Sequence, residues 1–391
     1  MSTGNARIAR WRLVADVLHH VRRQPDVTRA DLVRALGLSS SSATEVTARM
    51  RQARLLSEEP APIAGRGRPT TVFRPHPEGP LLLALELRAD SSRWCLVALD
   101  GRVHDVHVHR HARPRPEDVL ATLAAAVREA RALHPRRLRA VSLAAAATIR
   151  DGQLIQSATL GWGPVDLAPL AASLDVPLLV GNDATLAGVA EARTGAAAGA
   201  RTALHLLVGV GIGGSLVVNG HPMAGASGAG GEVGHLPFGE AGVRCPCGAV
   251  SCWDLEVDVR ALARHLGAEE PHDPYDYARR VLGRAADGDA EATAAIRRVV
   301  TALARGTAGL VNLYDPDTVC LGGLAVPLRA AAAGTFDTEY AAGLMKFHRI
   351  RPPRVVDAAH GDHGALYGAA AIGLDSLTTE AALADWHDVC G

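Results

Sequence analysis

His235, Cys245, Cys247 and Cys252 carry the most specific chemistry in the sequence, with three of the six cysteines falling within eight residues. One neutral imidazole nitrogen and three thiolates make a closed tetrahedral donor set suited to zinc. Pro246 and Gly248 supply the tight turn that lets Cys245 and Cys247 share one ion. Such a set leaves no open position for water or substrate, so the expected role of the zinc is structural. Cys95, Cys320 and Cys390 are scattered. In a long chain whose first residues do not resemble a secretory signal, this pattern favours a metal site over a disulfide framework.

Two further stretches could do chemistry. Gly181-Asn182-Asp183-Ala184 directly follows an apolar strand pattern. A carboxylate at a strand end can take a proton from a bound hydroxyl, although an Asn-Asp pair alone is more often a helix cap. Leu207 to Ser215 holds Gly209, Gly211, Gly213 and Gly214. Glycines at this density free backbone N–H groups to hold phosphate, or make a hairpin turn.

The elements that must position these residues alternate between strand and helix patterns. Apolar runs at Leu81–Leu87, Trp94–Leu99, Val141–Thr148, Val176–Val180, Leu204–Val210 and Ser215–Val218 read as strands. Val119–Leu133 reads as a helix, and Asp100-Gly101 as a hairpin signal. The alternation predicts an α/β body.

The first 78 residues read differently. Ile8, Trp11, Val14, Leu18 and Val21 recur at helical spacing. Thr28 caps a second helix, with Asp31 three residues on, and Gly37 turns the chain. Ser39 caps a third helix with Ala43, Val46 and Met50 on one face. Helix, glycine turn, helix is the helix-turn-helix pattern, whose second helix enters the major groove. Ser41, Thr44 and Glu45 lie opposite the buried face and are the candidates for base contacts. Gly65-Arg66-Gly67-Arg68-Pro69 predicts a wing, with Arg66 and Arg68 reaching phosphates or the minor groove.

Charge supports this division. Residues 1–78 hold 13 Arg, no Lys and 7 acidic residues, a net +6, against 28 basic and 34 acidic residues, a net −6, in the remainder. Lys346 is the chain's only lysine, so codon bias explains Arg over Lys but not the segregation of sign. A basic head on an acidic body points to a polyanion partner for the head. No run of about 18 apolar residues appears, so the sequence predicts no membrane span and a cytoplasmic location.

Together the motifs resemble the ROK family (repressors, open reading frames and kinases) across essentially the whole chain. Gly231-Glu232-Val233-Gly234-His235 with the three clustered cysteines is the most specific mark, and the basic wing matches the family's repressors. The resemblance implies an α/β, actin-like or ribonuclease-H-like two-lobed body over residues 79–391, preceded by an all-α winged-helix DNA-binding domain over 1–78. It implies that Asn182, Asp183, Glu232 and His235 hold sugar hydroxyls. The family's Glu two residues past the last zinc cysteine is here Asp254, with Glu256 as a substitute. Gly161-Trp162 matches a segment near the sugar cleft. Gly211, Gly213, Gly214, Gly322 and Gly323 correspond to nucleotide loops, and Gly361 to Gly368 to a closing turn.

Two departures stand out. The family's kinases open the body with an Asp-x-Gly-Gly-Thr phosphate loop, where this chain reads Leu85-Glu86-Leu87-Arg88-Ala89-Asp90-Ser91-Ser92 without a glycine. The family's Pro-Gly pair is replaced within Ala144-Ala145-Ala146-Ala147-Thr148. The expectation is therefore a non-enzymatic regulator, a repressor of carbohydrate metabolism. Its partners are an operator of double-stranded DNA, a sugar or sugar phosphate, and further copies of itself in a homodimer or homotetramer. The alternatives are an active ATP-dependent sugar kinase with Asp183 as catalytic base, and a repressor whose body binds a partner protein or no small ligand.

Overall fold

The structure, a computed structural model, describes residues 11–24, 26–61, 71–111, 115–157, 159–172, 174–240 and 242–390. It divides into two compact units. The first comprises Met1–Leu143, Leu167–Leu179 and Ala369–Gly391, and the second Ala144–Asp166 and Val180–Gly368. The amino-terminal elements share the first unit with the strands that follow and with the C-terminal residues.

The first unit opens with α1 (Arg12–Arg23), β1 (Val27–Thr28), α2 (Arg29–Leu36), α3 (Ser40–Gln52), β2 (Leu56–Pro60) and β3 (Thr71–Pro75). Thr28 caps α2 by accepting from the Asp31 N–H, while Asp31 Oδ2 accepts from the Thr28 N–H at 3.0 Å, the reciprocal box expected from the sequence. Gly37 ends α2 at φ +63°, a left-handed position that favours glycine. Ser39 accepts from the Ser42 N–H at 3.0 Å and starts α3. The small sheet has the order β1-β3-β2, and Pro60 pairs with Thr71, so residues 61–70 connect two antiparallel strands. The expected wing residues Arg66 and Arg68 lie outside the described residues, as does Ile8.

This head closes around Val14, Leu18, Val21, Leu32, Met50, Leu55 and Phe73. Three residues of the last helix complete the same core: Leu383, Ala384 and Trp386. Each fully buried side chain of this size contributes about 1.5–3 kcal/mol, so the last helix is a substantial part of the head.

The unit also carries a five-stranded sheet in the order β10-β7-β4-β5-β6, built from β4 (Leu81–Leu87), β5 (Ser91–Val97), β6 (His107–Arg110), β7 (Leu138–Ala145) and β10 (Leu178–Asn182). Every residue of β4 is buried, which is why it reads as an apolar run interrupted only by Glu86. Helix α4 (Pro116–Leu133) buries Val119, Leu123 and Val127.

The second unit has its own five-stranded sheet, β13-β12-β11-β14-β15, made from β11 (Thr202–Val208), β12 (Ile212–Val218), β13 (His221–Pro222), β14 (Thr318–Gly323) and β15 (Arg354–Asp357). A separate hairpin joins β8 (Thr148–Arg150) to β9 (Gln153–Gln156). β11 pairs antiparallel with β12 and parallel with β14. In chain order both large sheets run 3-2-1-4-5, a three-strand meander followed by two added strands. This duplicated arrangement agrees with the expected two-lobed α/β body. Helix α5 (Asp183–Thr194) packs on β11 and β12, and α9 (Ala290–Tyr314) threads the apolar core through Val299, Leu303 and Val311.

Candidate functional site

Asn182 ends β10 and caps α5. Its Oδ1 accepts from the Thr185 N–H at 2.9 Å, and its amide donates to the Ala147 carbonyl and to Asp183 Oδ1, both at 3.1 Å. The helix-cap reading of the Asn-Asp pair therefore holds here. Asn182 is a helix cap, and through that cap it fixes the carboxylate of Asp183, which is partly exposed.

Three consecutive residues tie this corner together. The Ala146 carbonyl accepts from Ser157 Oγ at 2.6 Å, the Ala147 carbonyl from Asn182, and Thr148 Oγ1 donates to Glu232 Oε1 at 3.0 Å. The sequence marked this stretch only as the loss of a Pro-Gly pair. Thr148 is a site residue that sequence reasoning missed, since its partner lies 84 residues away and no local pattern announces it. Trp162 is buried and its backbone pairs with that of Ser157, placing the Gly161-Trp162 segment beside the same strand.

Glycines in β12 permit the close packing. A Cβ on Gly213 would stand 2.5 Å from the Ala184 Cβ at the start of α5, and one on Gly231, at φ +96°, would stand 2.2 Å from the Gly214 carbonyl oxygen. Gly213 and Gly214 are inside the β11–β12 ladder, opposite Leu207 and Leu206. Gly322 and Gly323 end β14 in register with Leu207 and Val208. Of the five glycines expected as nucleotide-loop positions, Gly211 alone sits in a turn, where its carbonyl accepts from the Gly209 N–H at 2.7 Å.

That turn is held from inside the protein. Asp254 is buried, its Oδ1 accepts from the Ile212 N–H at 2.6 Å, and its Oδ2 accepts from Arg260 at 2.7 Å. Both oxygens are thus engaged within the fold. Arg260 also donates to Asp258, whose carboxyl burial pushes up to about 6. Glu256, the suggested substitute, accepts from the Glu240 N–H at 3.1 Å. The stretch from Leu85 to Ser92 forms a tight hairpin closed by the Arg88 N–H to Ser91 carbonyl bond at 2.9 Å, with Arg88 and Arg93 each within 3.9 Å of the buried Glu86.

The His/Cys cluster assembles as expected. The ligand atoms of His235, Cys245, Cys247 and Cys252 all lie within 4.8 Å of one another. Cys247 and Cys252 sulfurs are 3.7 Å apart, and Cys245 Sγ is 3.8 Å from His235 Nδ1. A tetrahedral ion with metal–sulfur bonds of about 2.3 Å would set its sulfurs about 3.8 Å apart, so these four residues could hold one metal. Burial and the adjoining thiols push Cys252 up to about 12, so a thiolate at this position would need a cation beside it. The segment's own apolar cluster is small, built on Cys245, Cys252 and Leu255. His235 presents Nδ1 to this cluster and Nε2 to Glu232 Oε2 at 3.8 Å. The two ring nitrogens thus face different partners.

In the first unit, Ser41, Thr44 and Glu45 are all exposed on α3, while Ala43, Val46, Thr47 and Met50 are buried. Thr44 donates to the Ser40 carbonyl at 2.8 Å and Glu45 pairs with Arg49 at 3.0 Å, so both are ordered on the outward face.

Among the described residues no helix is long and apolar enough to cross a membrane. Residues 12–67 match the MarR family model and residues 82–376 the ROK family model. A glucokinase of Halalkalibacterium halodurans is 29% identical over 53% of this chain, which spans 65% of that relative's length. The xylose repressor of Bacillus subtilis is 22% identical over 78% of this chain and 80% of its own. A crystal structure of a ROK family transcriptional regulator, a homologue of the E. coli MLC protein, shares the fold with a TM-score of 0.78 at 20% identity, covering 97% of this chain and 99% of that one. With three quarters of its length matched and the Glu232–Cys252 segment in place, the chain belongs to the ROK family.

Proposed function

We propose that this protein is a DNA-binding transcriptional regulator, a repressor of carbohydrate metabolism, whose kinase-derived body binds a sugar or sugar phosphate. One observation carries the reading: a winged-helix head with an exposed α3 face shares its chain with a ROK body. The similarity to the xylose repressor over four fifths of that protein supports it. In this reading Ser41, Thr44 and Glu45 meet base edges, and Arg66 and Arg68 supply phosphate contacts. Asp183, Glu232 and His235 Nε2 hold sugar hydroxyls, with Asn182 and Thr148 fixing the two carboxylates. Zinc held by His235, Cys245, Cys247 and Cys252 braces the turn that carries Glu232. One head reads one half-site, so paired heads in a homodimer or homotetramer are part of the proposal. So is a cytoplasmic location, where the DNA lies.

A second reading, an active sugar kinase with an attached head, draws on the glucokinase relative and on Asp183 at a strand end. The hairpin at Arg88–Ser91 and the internal Asp254 contact to Ile212 favour the regulator, because phosphoryl transfer depends on preorganised phosphate positioning. The test is isothermal titration with xylose, glucose and their phosphates, paired with a phosphotransfer assay using ATP and magnesium. Binding that Thr148→Val weakens severalfold, without turnover, is the expected result. Turnover abolished by Asp183→Asn would establish the kinase.

A further inference from the structure

We propose that the outer strand β6 of the first unit carries a surface site for one divalent first-row transition ion, chelated by the imidazoles of His107 and His109. The site lies outside the sugar and DNA readings and does not depend on either.

Four of the chain's 17 histidines, His104, His107, His109 and His111, fall within eight residues. The sheet aligns them. β6 pairs antiparallel with β5, with Trp94 opposite His107 and Ser92 opposite His109. The His111 N–H donates to the Asp90 carbonyl at 2.9 Å, which continues the same register. Residues directly opposite in an antiparallel pair point to the same side of the sheet. His107, His109 and His111 therefore share the side of Trp94, Ser92 and Asp90.

Alternation alone would leave His104 on the other side. A bulge returns it. Val97 pairs with Val103, whereas continuing the β6 register would bring His104 opposite Val97. One extra residue is thus accommodated between His104 and His107. Beyond it the His104 N–H donates to the Leu96 carbonyl at 2.9 Å, and Leu96, two residues from Trp94, points to the same side. All four imidazoles therefore project from one side of the chain, while Val103, Val108 and Arg110 take the other.

Within this row His107 and His109 form the chelating pair, because both are exposed, two residues apart and uninterrupted by the bulge. Their Cα atoms are about 6.7 Å apart on a regular strand. Two imidazole nitrogens on one ion, each bound at about 2.0–2.1 Å, are about 3.3 Å apart. The rings close that difference by leaning toward each other, with no change of backbone. The His107 ring stacks on Trp94, with centroids 5.8 Å apart and planes at 13°, a contact through the ring face and not through the nitrogens at its edge. His111 is half-buried and ends the row on one side, as His104 does beyond the bulge. Asp90, opposite His111, accepts from Ser91 Oγ at 2.8 Å and from Arg110 at 3.3 Å, so the donors on offer are imidazoles and not a carboxylate. Imidazole suits zinc, nickel and copper, whereas magnesium and calcium want oxygen. Water completes the shell.

The experiment is calorimetric titration of nickel(II) into the full chain near neutral pH, with bound zinc measured before and after. Hydrogen exchange of the His107–Arg110 amides is read with and without nickel. About one nickel per chain should bind, slowing exchange in β6 severalfold because the ion favours the folded strand. His107→Gln and His109→Gln should each weaken binding at least tenfold while keeping the wild-type melting temperature, since both positions are exposed. His221→Gln, which removes an exposed histidine of the second unit, should bind nickel as the wild type does. Absence of nickel binding, an equal loss in His221→Gln, or binding that survives the combined His107→Gln and His109→Gln change overturns the site. So does nickel taken up only with release of zinc, or binding lost in His111→Gln and kept in His107→Gln.

Discussion

Replacing Gly213 by alanine puts the packing at the site under direct strain. The new Cβ would lie 2.5 Å from the Ala184 Cβ, where methyl carbons ordinarily stop at about 3.5–4.0 Å. Strand β12 and the first turn of α5 must therefore part by about 1 Å, with Asp183 carried on the displaced turn. Overpacking of this kind costs about 1–3 kcal/mol. Urea denaturation at pH 7 should show a lowered midpoint with an unchanged slope. Because the clash is methyl against methyl, Gly213→Ala combined with Ala184→Gly should recover most of the loss. Ala184→Gly alone should cost at most about 1 kcal/mol as a helix-propensity effect. Simple additivity of the two changes, or a Gly213→Ala protein with the wild-type midpoint, would refute the view that this glycine serves packing between β12 and α5.

Three further outcomes are expected. Metal analysis of the purified chain should give about one zinc per chain, and Cys247→Ser or chelation should lower the melting temperature; full stability without metal contradicts the structural role. Asp254→Ala should cost about 3 kcal/mol in unfolding free energy, because Arg260 loses one of its two carboxylates and the Ile212 N–H its acceptor; a change under about 0.5 kcal/mol in the denaturation midpoint speaks against the clamp. His205 is fully buried, and burial lowers it to about 4. A base lowered in the folded state contributes full stability above its ordinary pKa of about 6.5. That stability is lost as pH falls toward 4, amounting to about 2.5 kcal/mol at pH 4.5. His205→Gln should flatten the corresponding part of the stability-against-pH curve, and an unchanged slope would exclude this origin.

Local chemistry was legible in the sequence, and distant partnerships were not. The Thr28–Asp31 box, the Gly37 turn, the Ser39 cap and the Cys245–Cys252 cluster each depend on neighbours within a few residues, so residue type and spacing identify them. Continuous burial of β4 likewise shows as Leu81–Leu87. Glycine identity told of backbone freedom at positions 213 and 214 but not that Ala184 and Val233 approach there. Asp254 kept its carboxylate type, yet its direction depends on Arg260 and Ile212. Thr148–Glu232 and Trp386–Ala53 join residues 84 and 333 apart, and no period or cap predicts either. The contribution of Leu383, Ala384 and Trp386 to the head's core was illegible for the same reason, since they come from the other end of the chain.

The account stands most directly on whether a bound sugar changes the affinity of this protein for its own promoter DNA. Fluorescence anisotropy of a labelled promoter duplex, titrated with the full chain at fixed salt with and without a monosaccharide that binds by calorimetry, measures this. The account predicts specific binding that falls with salt, a shift in affinity of at least fivefold with the sugar, and loss of that shift in Asp183→Ala with DNA binding retained. Equal affinity with and without every sugar that binds, or no preference for the promoter over unrelated duplex, would contradict it.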